Sequence, residues 1–193
     1  MVTALRAARS DECQALGRII GAAFADDPVS LWTLGSAAAI ETTFVALCRH
    51  VYMPRGACTF AGDVGGAMWL RPGGSKRLPI LAQAALALEL MRLTGARSVR
   101  RAIAVDAAMR ARRPVDAHFY LFAVGVLSTG RGKGIGRALI TQVTAEADAM
   151  GLPCWLENSN PRNESLYRGL GFEVIETFAP VPGCPPLTTM RRP

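Results

Sequence analysis

The chain has 193 residues, 50% of them hydrophobic, with five cysteines and a formal net charge of +7. That hydrophobic content excludes a disordered chain, and the length fits one domain, which we expect to span residues 1–193. The cysteines form no C-x-x-C pair, so we expect buried thiols in a reducing compartment, no disulfide framework and no metal site.

The first part of the chain is predicted to contain three strands and two or three helices. Ser10 is a suitable N-cap for the first helix because acidic residues follow it, and the Asp-Asp-Pro turn at 26–28 ends that helix. Strands are predicted at residues 2–7, 57–61 and 67–70, and further helical structure at 30–52.

A helical insertion is predicted over about 72–117, with helices at about 79–94 and 97–112. Much of the positive charge lies here, on Arg97, Arg100, Arg101, Arg110, Arg112 and Arg113. Apolar residues interleave with these arginines at near-helical spacing, so we interpret them as a solvated helix face. Basic charge alone gives only non-specific affinity for nucleic acid, so we expect no nucleic-acid partner.

Targeting signals are not evident in the sequence. The N-terminal residues carry charges but no apolar core of a signal peptide, and no apolar stretch reaches membrane-spanning length. We therefore expect a cytoplasmic protein with no membrane partner.

The most informative stretch, HFYLFAVGVLSTGRGKGIG, covers residues 118–136. Its apolar run at 119–127 predicts a strand buried on both faces. The turn from Arg131 to Gly136 leads directly into a helix, so free backbone N–H groups, the positive end of the helix dipole and two cationic side chains converge there. The sequence therefore predicts a site for a phosphorylated cofactor.

Spacing argues against two common nucleotide-binding loops. Lys133 is followed by Gly134, so the magnesium-binding hydroxyl of a G-x-x-x-x-G-K-[ST] loop is missing. Counting from Gly130 or Gly132, the sixth position is not glycine, so the G-x-G-x-x-G dinucleotide pattern fails. A dehydrogenase with Glu157 as its ribose carboxylate is therefore only a distant alternative.

Downstream, apolar residues at helical spacing predict a helix over 134–150 that ends at Gly151, and then a strand at 154–157. Asn163 is the predicted N-cap of a short helix that ends at Gly171. A final short strand is predicted at 187–190.

Two patterns in this region resemble the GNAT acyltransferases (Gcn5-related N-acetyltransferases). Residues 131–136 have the form R-x-x-G-x-G, and Asn160 is followed seven residues later by Tyr167 and then by a Gly-Phe pair. The resemblance implies an α/β fold with a mixed central sheet, flanked by helices and splayed at the cofactor strand. It also implies a cofactor-binding core at about 118–178.

The resemblance further implies that acetyl-CoA is the acyl donor. Backbone groups of the cofactor strand would pair with pantetheine, and the loop at 131–137 would hold the pyrophosphate, with some insertion arginines as an additional source of charge. Gly125 in mid-strand indicates a bulge or a close ligand approach. The implied cofactor-binding residues are Val124, Gly125, Val126, Arg131, Gly132, Lys133, Gly134, Ile135, Gly136, Arg137, Asn160 and Asn163.

Transfer of an acyl group to an amine needs a proton donor for the leaving thiolate and a proton acceptor for the amine. The resemblance gives the donor role to Tyr167, whose alternative is an ordinary half-buried helix aromatic. Glu157 is the first candidate for the acceptor, directly or through water, and its alternative is a surface carboxylate.

Substrate-site candidates are weaker. Asp26 and Asp27 would face the amine, Trp32 would touch it, and His118 would serve a water relay. The sequence looks most like small-molecule GNATs of the puromycin N-acetyltransferase sort, which favours a small-molecule amine. Acetylation of protein lysines or N-termini, and a non-catalytic acyl-CoA-binding module, stay open, as does a homodimer.

Overall fold

The computed structural model describes residues 4–193. Within this range the strands are β1 Leu5–Ala7, β2 Gly56–Ala61, β3 Gly65–Leu70, β4 Phe119–Val126, β5 Cys154–Asn158, β6 Glu173–Phe178 and β7 Leu187–Arg192. The helices are α1 Cys13–Ala23, α2 Pro28–Leu34, α3 Ala37–Leu47, α4 Met53–Arg55, α5 Ile80–Thr94, α6 Ala96–Arg110, α7 Ile135–Met150 and α8 Glu164–Arg168, with a π-helical turn at Cys48–Tyr52 before α4. Residues 2 and 3 of the predicted first strand lie outside the described residues.

The strands form one mixed sheet in the order β1-β2-β3-β4-β5-β7-β6. All neighbouring strands are antiparallel except β4 and β5, which are parallel. Their pairing begins at Phe119–Cys154 and stops at Leu121–Leu156, whereas β4 stays paired with β3 as far as Val126. The last five residues of β4 therefore have an open edge on the β5 side, which confirms the predicted splay.

The open segment of β4 begins at a β-bulge. Met68 of β3 lies opposite Ala123, and Trp69 lies opposite Leu121, so Phe122 is the extra residue. Of the two alternatives for Gly125, a bulge or a close ligand approach, the bulge lies three residues earlier, whereas Gly125 does line the cleft described below. Gly125 also allows α1 to contact the strand, because a Cβ there would lie 2.9 Å from Ala23 Cβ and 3.1 Å from Ile20 Cα.

Two hydrophobic cores cover the two faces of the sheet. One face packs against α1, α3 and the π-helical turn, and it buries Leu16, Ile40 and Tyr120. The other packs against α7 and α8 and buries Leu139 and Leu121. Because successive side chains of a strand point to opposite faces, neighbouring residues of β4 and β5 serve different cores.

Three insertion arginines do not form the solvated face expected from the sequence. The Arg101 guanidinium lies 3.8 Å from the centroid of the Trp32 ring, and that of Arg112 lies 3.7 Å from the Phe178 ring. Arg113 stacks over Tyr120 at 4.0 Å with only 16% of its side chain exposed. These arginines join α6 and the segment after it to the rest of the molecule by cation–π contacts.

All five cysteines are free and buried, as expected.

Among residues 4–193 no single helix is long and apolar enough to cross a membrane. The pair 28–34 and 37–55 passes jointly on length and composition, and it bends by 95° at its break.

The contact between α1 and α3 depends on a glycine, and its replacement tests the packing. A Cβ at Gly17 would lie 2.5 Å from Val45 Cγ2 and 2.7 Å from Val45 Cα, so Gly17→Ala must push the helices apart. We expect a loss of about 2–3 kcal/mol of unfolding free energy, measured as a Tm lower by roughly 5–10 °C.

Gly136→Ala in α7 is the matched control, because its added Cβ would meet atoms no closer than 3.6 Å. The Tm of this variant should stay the same or rise slightly. Equal Tm values for the two variants would contradict the close α1–α3 packing.

Candidate active site

A cleft of about 500 Å³ opens where β4 and β5 separate. It is bounded by the α1–α2 connection, the end of β4, the loop before α7 and the start of α8. Of the residues predicted for the site, those lining the cleft are Asp26, Asp27, Val124, Gly125, Val126, Arg131, Gly132, Gly134, Ile135, Gly136, Arg137, Asn160, Asn163 and Tyr167. The four that lie outside its lining are Trp32, His118, Lys133 and Glu157.

The glycine-rich loop presents backbone N–H groups to the cleft. Gly132 and Gly134 have φ values of 75° and 74°, a left-handed conformation that favours glycine. Gly134 is the N-cap of α7 and offers no side chain to cap it, so the first-turn N–H groups of this 16-residue helix have no side-chain acceptor. The positive end of the helix dipole reinforces them, and the loop thus fits a phosphate group.

Not every cationic side chain near this loop lines the cleft. Arg131 and Arg137 line the cleft, and Arg137 also donates a hydrogen bond of 3.0 Å to the carbonyl of Gly169 after α8. Lys133 is exposed and is not among the lining residues. Arg162 lines the cleft as well, although the sequence analysis missed it. Its position two residues after Asn160 was the available signal.

Tyr167 forms a buried wall of the cleft. It is 7% exposed, and its ring packs edge-on against Phe172 at 6.0 Å between centroids. Its hydroxyl has no hydrogen-bond partner among residues 4–193. Burial, and to a lesser degree the charge of Asp27, raises the pKa of Tyr167 above its usual value. The phenol therefore stays protonated and is free to donate to a ligand.

The asparagines of the Asn-Pro-Arg-Asn stretch have different roles from those expected. The side chain of Asn160 accepts a 3.2 Å hydrogen bond from the N–H of Arg162 and so caps the short 3₁₀ turn at 161–163. Asn163, the predicted N-cap, makes no such bond at the start of α8. Asn163 is thus the N-cap residue of α8 by position, as predicted, but the side-chain capping bond of this segment comes from Asn160 instead.

The two aspartates at the α1–α2 connection differ sharply. Asp27 is 4% exposed and both of its oxygens are engaged: one accepts the N–H of Ser30 at 2.8 Å, and the other accepts the hydroxyl of Ser159 at 2.6 Å. It thereby caps α2 and ties this connection to the end of β5. Asp26 is exposed at the cleft and makes no side-chain hydrogen bond or ion pair within the described chain.

Glu157 lies on the other face of the sheet from Tyr167. Its side chain is 1% exposed, and its carboxylate accepts hydrogen bonds from the Tyr120 hydroxyl at 2.7 Å and from the Trp155 indole at 3.0 Å. Arg113 Nη2 lies 3.8 Å away. The carboxylate is therefore neither the surface group weighed as an alternative nor a group in direct contact with the cleft.

The remaining two candidates lie apart from the cleft. Trp32 packs under the Arg101 guanidinium, beside Val105 of α6. His118 precedes β4, at the end of the strand away from the split, and its Nδ1 lies 2.7 Å from the carbonyl of Asp116. Both were placed near the substrate from the sequence, but the structure does not bring them to the cleft.

Similar proteins were found by sequence and by structure. The model of the Acetyltransferase (GNAT) family matches residues 102–172. An uncharacterized N-acetyltransferase of Schizosaccharomyces pombe is 42% identical over 57 residues, and this match spans 30% of the present chain and only 23% of the relative.

Solved structures align over nearly the whole chain. The structure described as histone acetyltransferase HPA2 and related acetyltransferase from Corynebacterium glutamicum has a TM-score of 0.76 and 23% identity, covering 100% of this chain and 97% of that one. Arylalkylamine N-acetyltransferase 2 from Aedes aegypti has a TM-score of 0.66 and 14% identity, covering 98% and 97%. At these identities the likeness establishes a shared fold.

The family match covers the second part of α6, the split strand β4, the glycine-rich loop with α7, and β5 with α8. Apart from α6 these elements build the cleft together with the α1–α2 connection, which lies outside the match, and the aligned structures share the mixed sheet around them. Residues 102–172 therefore match the GNAT acetyltransferase family, and the chain as a whole shares the fold of the aligned acetyltransferase structures.

Proposed function

We propose that this chain transfers an acetyl group from acetyl-CoA to the primary amine of a small molecule, with both substrates bound together. One observation carries the proposal. The unpaired edge of β4 runs from the uncapped N-terminus of α7 to the wall formed by Tyr167, so that phosphate binding and a proton donor share one cleft.

The chain's own groups account for binding of the donor. The N–H groups at the start of α7, with Arg131 and Arg162 nearby, fit a pyrophosphate. The open edge of residues 122–126 fits an extended amide chain, which would add to β4 as a further strand. Bound acetyl-CoA supplies the acetyl group as an activated thioester.

Proton transfer is divided between the two faces of the sheet. Tyr167 holds its proton at the cleft and donates it to the departing thiol. Glu157 is the proposed final acceptor of the amine proton. Because its carboxylate is enclosed, we assign the route to the Tyr120 hydroxyl, which lies 2.7 Å from it, or to water.

The position of the insertion bears on the size of the acceptor. Helices α5 and α6 pack against α3 and α2, and Lys76 and Arg113 cover the Tyr120 side of the split. We take this cover over one side of the split as support for a small molecule, rather than an extended protein chain, as the acceptor. The name of the arylalkylamine N-acetyltransferase among the structural relatives agrees with a small amine, and small-molecule GNATs of the puromycin N-acetyltransferase sort stay the closest analogy from the sequence.

The test is an acetyl-transfer assay on the purified chain. Acetyl-CoA is supplied with phenethylamine, agmatine, spermidine or a lysine-containing peptide, and released thiol and product mass are measured. Turnover with a small amine supports the proposal. Turnover with the peptide alone would contradict the proposal and indicate a protein acetyltransferase. A rise in Tm with acetyl-CoA but no turnover would indicate a non-catalytic acyl-CoA-binding module.

Replacing Tyr167 by Phe isolates the proton donor. The phenyl ring keeps the packing against Phe172, and no protein hydrogen bond is lost within residues 4–193. We expect kcat to fall by about 10²-fold while the KM for acetyl-CoA and the Tm change little. An unchanged kcat would show that another group protonates the thiol.

We expect substitutions of Asp26 and Asp27 to have different effects. Asp26→Ala removes a free carboxylate at the cleft, so the KM for the amine should rise roughly fivefold, about 1 kcal/mol, with Tm unchanged. Asp27→Ala removes a helix cap and the partner of Ser159, at a cost of about 2 kcal/mol and a Tm lower by roughly 4–8 °C. The reverse pattern would overturn these assignments.

A further inference from the structure

Lysine is rare in this chain and one of its lysines is enclosed. Twenty of the 22 basic residues are arginine, and the lysines are Lys76 and Lys133. Lys133 is exposed in the glycine-rich loop, whereas only 13% of the Lys76 side chain is exposed. A primary ammonium group has thus been buried in a molecule that otherwise uses guanidinium groups.

The surroundings of Lys76 form an aromatic box with one carboxylate. Its Nζ lies 4.9 Å from the centroid of the Phe122 ring, 5.7 Å from that of Tyr120 and 3.2 Å from Asp106 Oδ1. The Tyr52 ring stacks on Phe122 at 4.5 Å. Aromatic faces combined with a carboxylate are the groups that recognise organic ammonium ions.

The charge balance of the box is incomplete. Burial lowers the pKa of Lys76, the charges of Asp106 and Glu157 only partly oppose this, and the positive charge of Arg113 adds to the lowering. Asp106 is also shared with Arg110, whose Nη2 lies 2.6 Å from its other oxygen. The Tyr52 hydroxyl and two nitrogens of Arg113, Nε and Nη2, are buried without a hydrogen-bond partner in the described part of the chain. Buried polar groups normally find partners, and of these three atoms only the Tyr52 hydroxyl can accept a hydrogen bond from an ammonium group, since guanidinium nitrogens only donate.

The box adjoins the proposed reaction centre. Phe122 is the bulged residue at which β4 separates from β5, and Glu157 lies beyond Tyr120. Phe24 lines the cleft and packs on Phe44, which in turn packs on Phe122 at 5.6 Å. Contacts between three rings, those of Phe24, Phe44 and Phe122, therefore connect the cleft to Lys76.

We infer that this box, made by Tyr52, Asp106, Tyr120 and Phe122, is the subsite for the ammonium group of the acceptor, and that Lys76 fills it when no acceptor is bound. The inference rests on the proposed function and names its acceptor class as a small organic ammonium ion. Binding then requires Lys76 to leave. Residues 71–79 carry no helix or strand, so the exchange moves a loop and unfolds no element.

The first test measures amine binding without acetyl-CoA. An internal competitor reduces apparent affinity in proportion to the fraction of molecules with an open site. Lys76→Ala should therefore bind phenethylamine about tenfold or more tightly than the wild type in a calorimetric titration. Lys133→Ala should bind it as the wild type does, and phenethyl alcohol, the uncharged analogue, should gain nothing. Equal phenethylamine affinity for all three proteins would overturn the inference.

The second test uses the wild-type chain, so it stands even where Lys76→Ala does not fold. N,N-dimethylphenethylamine is an ammonium ion that acetic anhydride cannot acylate stably. When it occupies the box, chemical acetylation of Lys76 should rise about fivefold or more relative to Lys133, as measured by peptide mass spectrometry. An unchanged ratio of Lys76 to Lys133 acetylation at saturating amine would overturn the inference and show that Lys76 stays in a structural ion pair with Asp106. Neither test needs enzymatic transfer, so a failed acetylation assay leaves both results interpretable.

Discussion

The position of the cleft depends on the short parallel contact between β4 and β5. Only three residue pairs join these strands, up to Leu121–Leu156, while both strands continue beyond that point with antiparallel partners on their outer sides. Each strand is thus held in the sheet by its other neighbour. The bulge at Phe122 turns β4 away at the first unpaired position, and the sheet gains an internal edge without becoming unstable.

Because side chains alternate along these two strands, the proposed catalytic groups lie on two different faces of the sheet. Leu121 and Leu156 pack beneath α7, near Tyr167, whereas Tyr120 and Glu157 point to the opposite face. A phenol kept protonated by burial lies on one side of the split, and a buried carboxylate held by a phenol and an indole lies on the other. The proposed proton donor and the proposed proton acceptor therefore lie on opposite faces of the sheet.

The local features of this site could be predicted from the sequence, and the tertiary ones could not. The strand at 119–126, the glycine-rich loop and α7 follow from a hydrophobic run and glycines whose conformations are set locally. Gly125 is required by the approach of α1, and Arg113 is buried by stacking on Tyr120, and neither tertiary contact is encoded in the local sequence pattern. Charge patterning on a helix carries no information about which aromatic residue will lie across from it.

The insertion is attached to the core by contacts that suit a movable cover. Residues 71–113 hold 10 of the 22 basic residues and only 2 of the 15 acidic ones, yet α5 and α6 bury only Leu90, Ser98 and Val105. Cation–π contacts from Lys76, Arg101, Arg112 and Arg113 do much of the joining. Such contacts are worth about 0.5–2 kcal/mol each, and their charged ends are readily hydrated when they separate. Opening this cover therefore costs less than separating an apolar interface of the same extent, which would favour the proposed exchange of Lys76 for an acceptor.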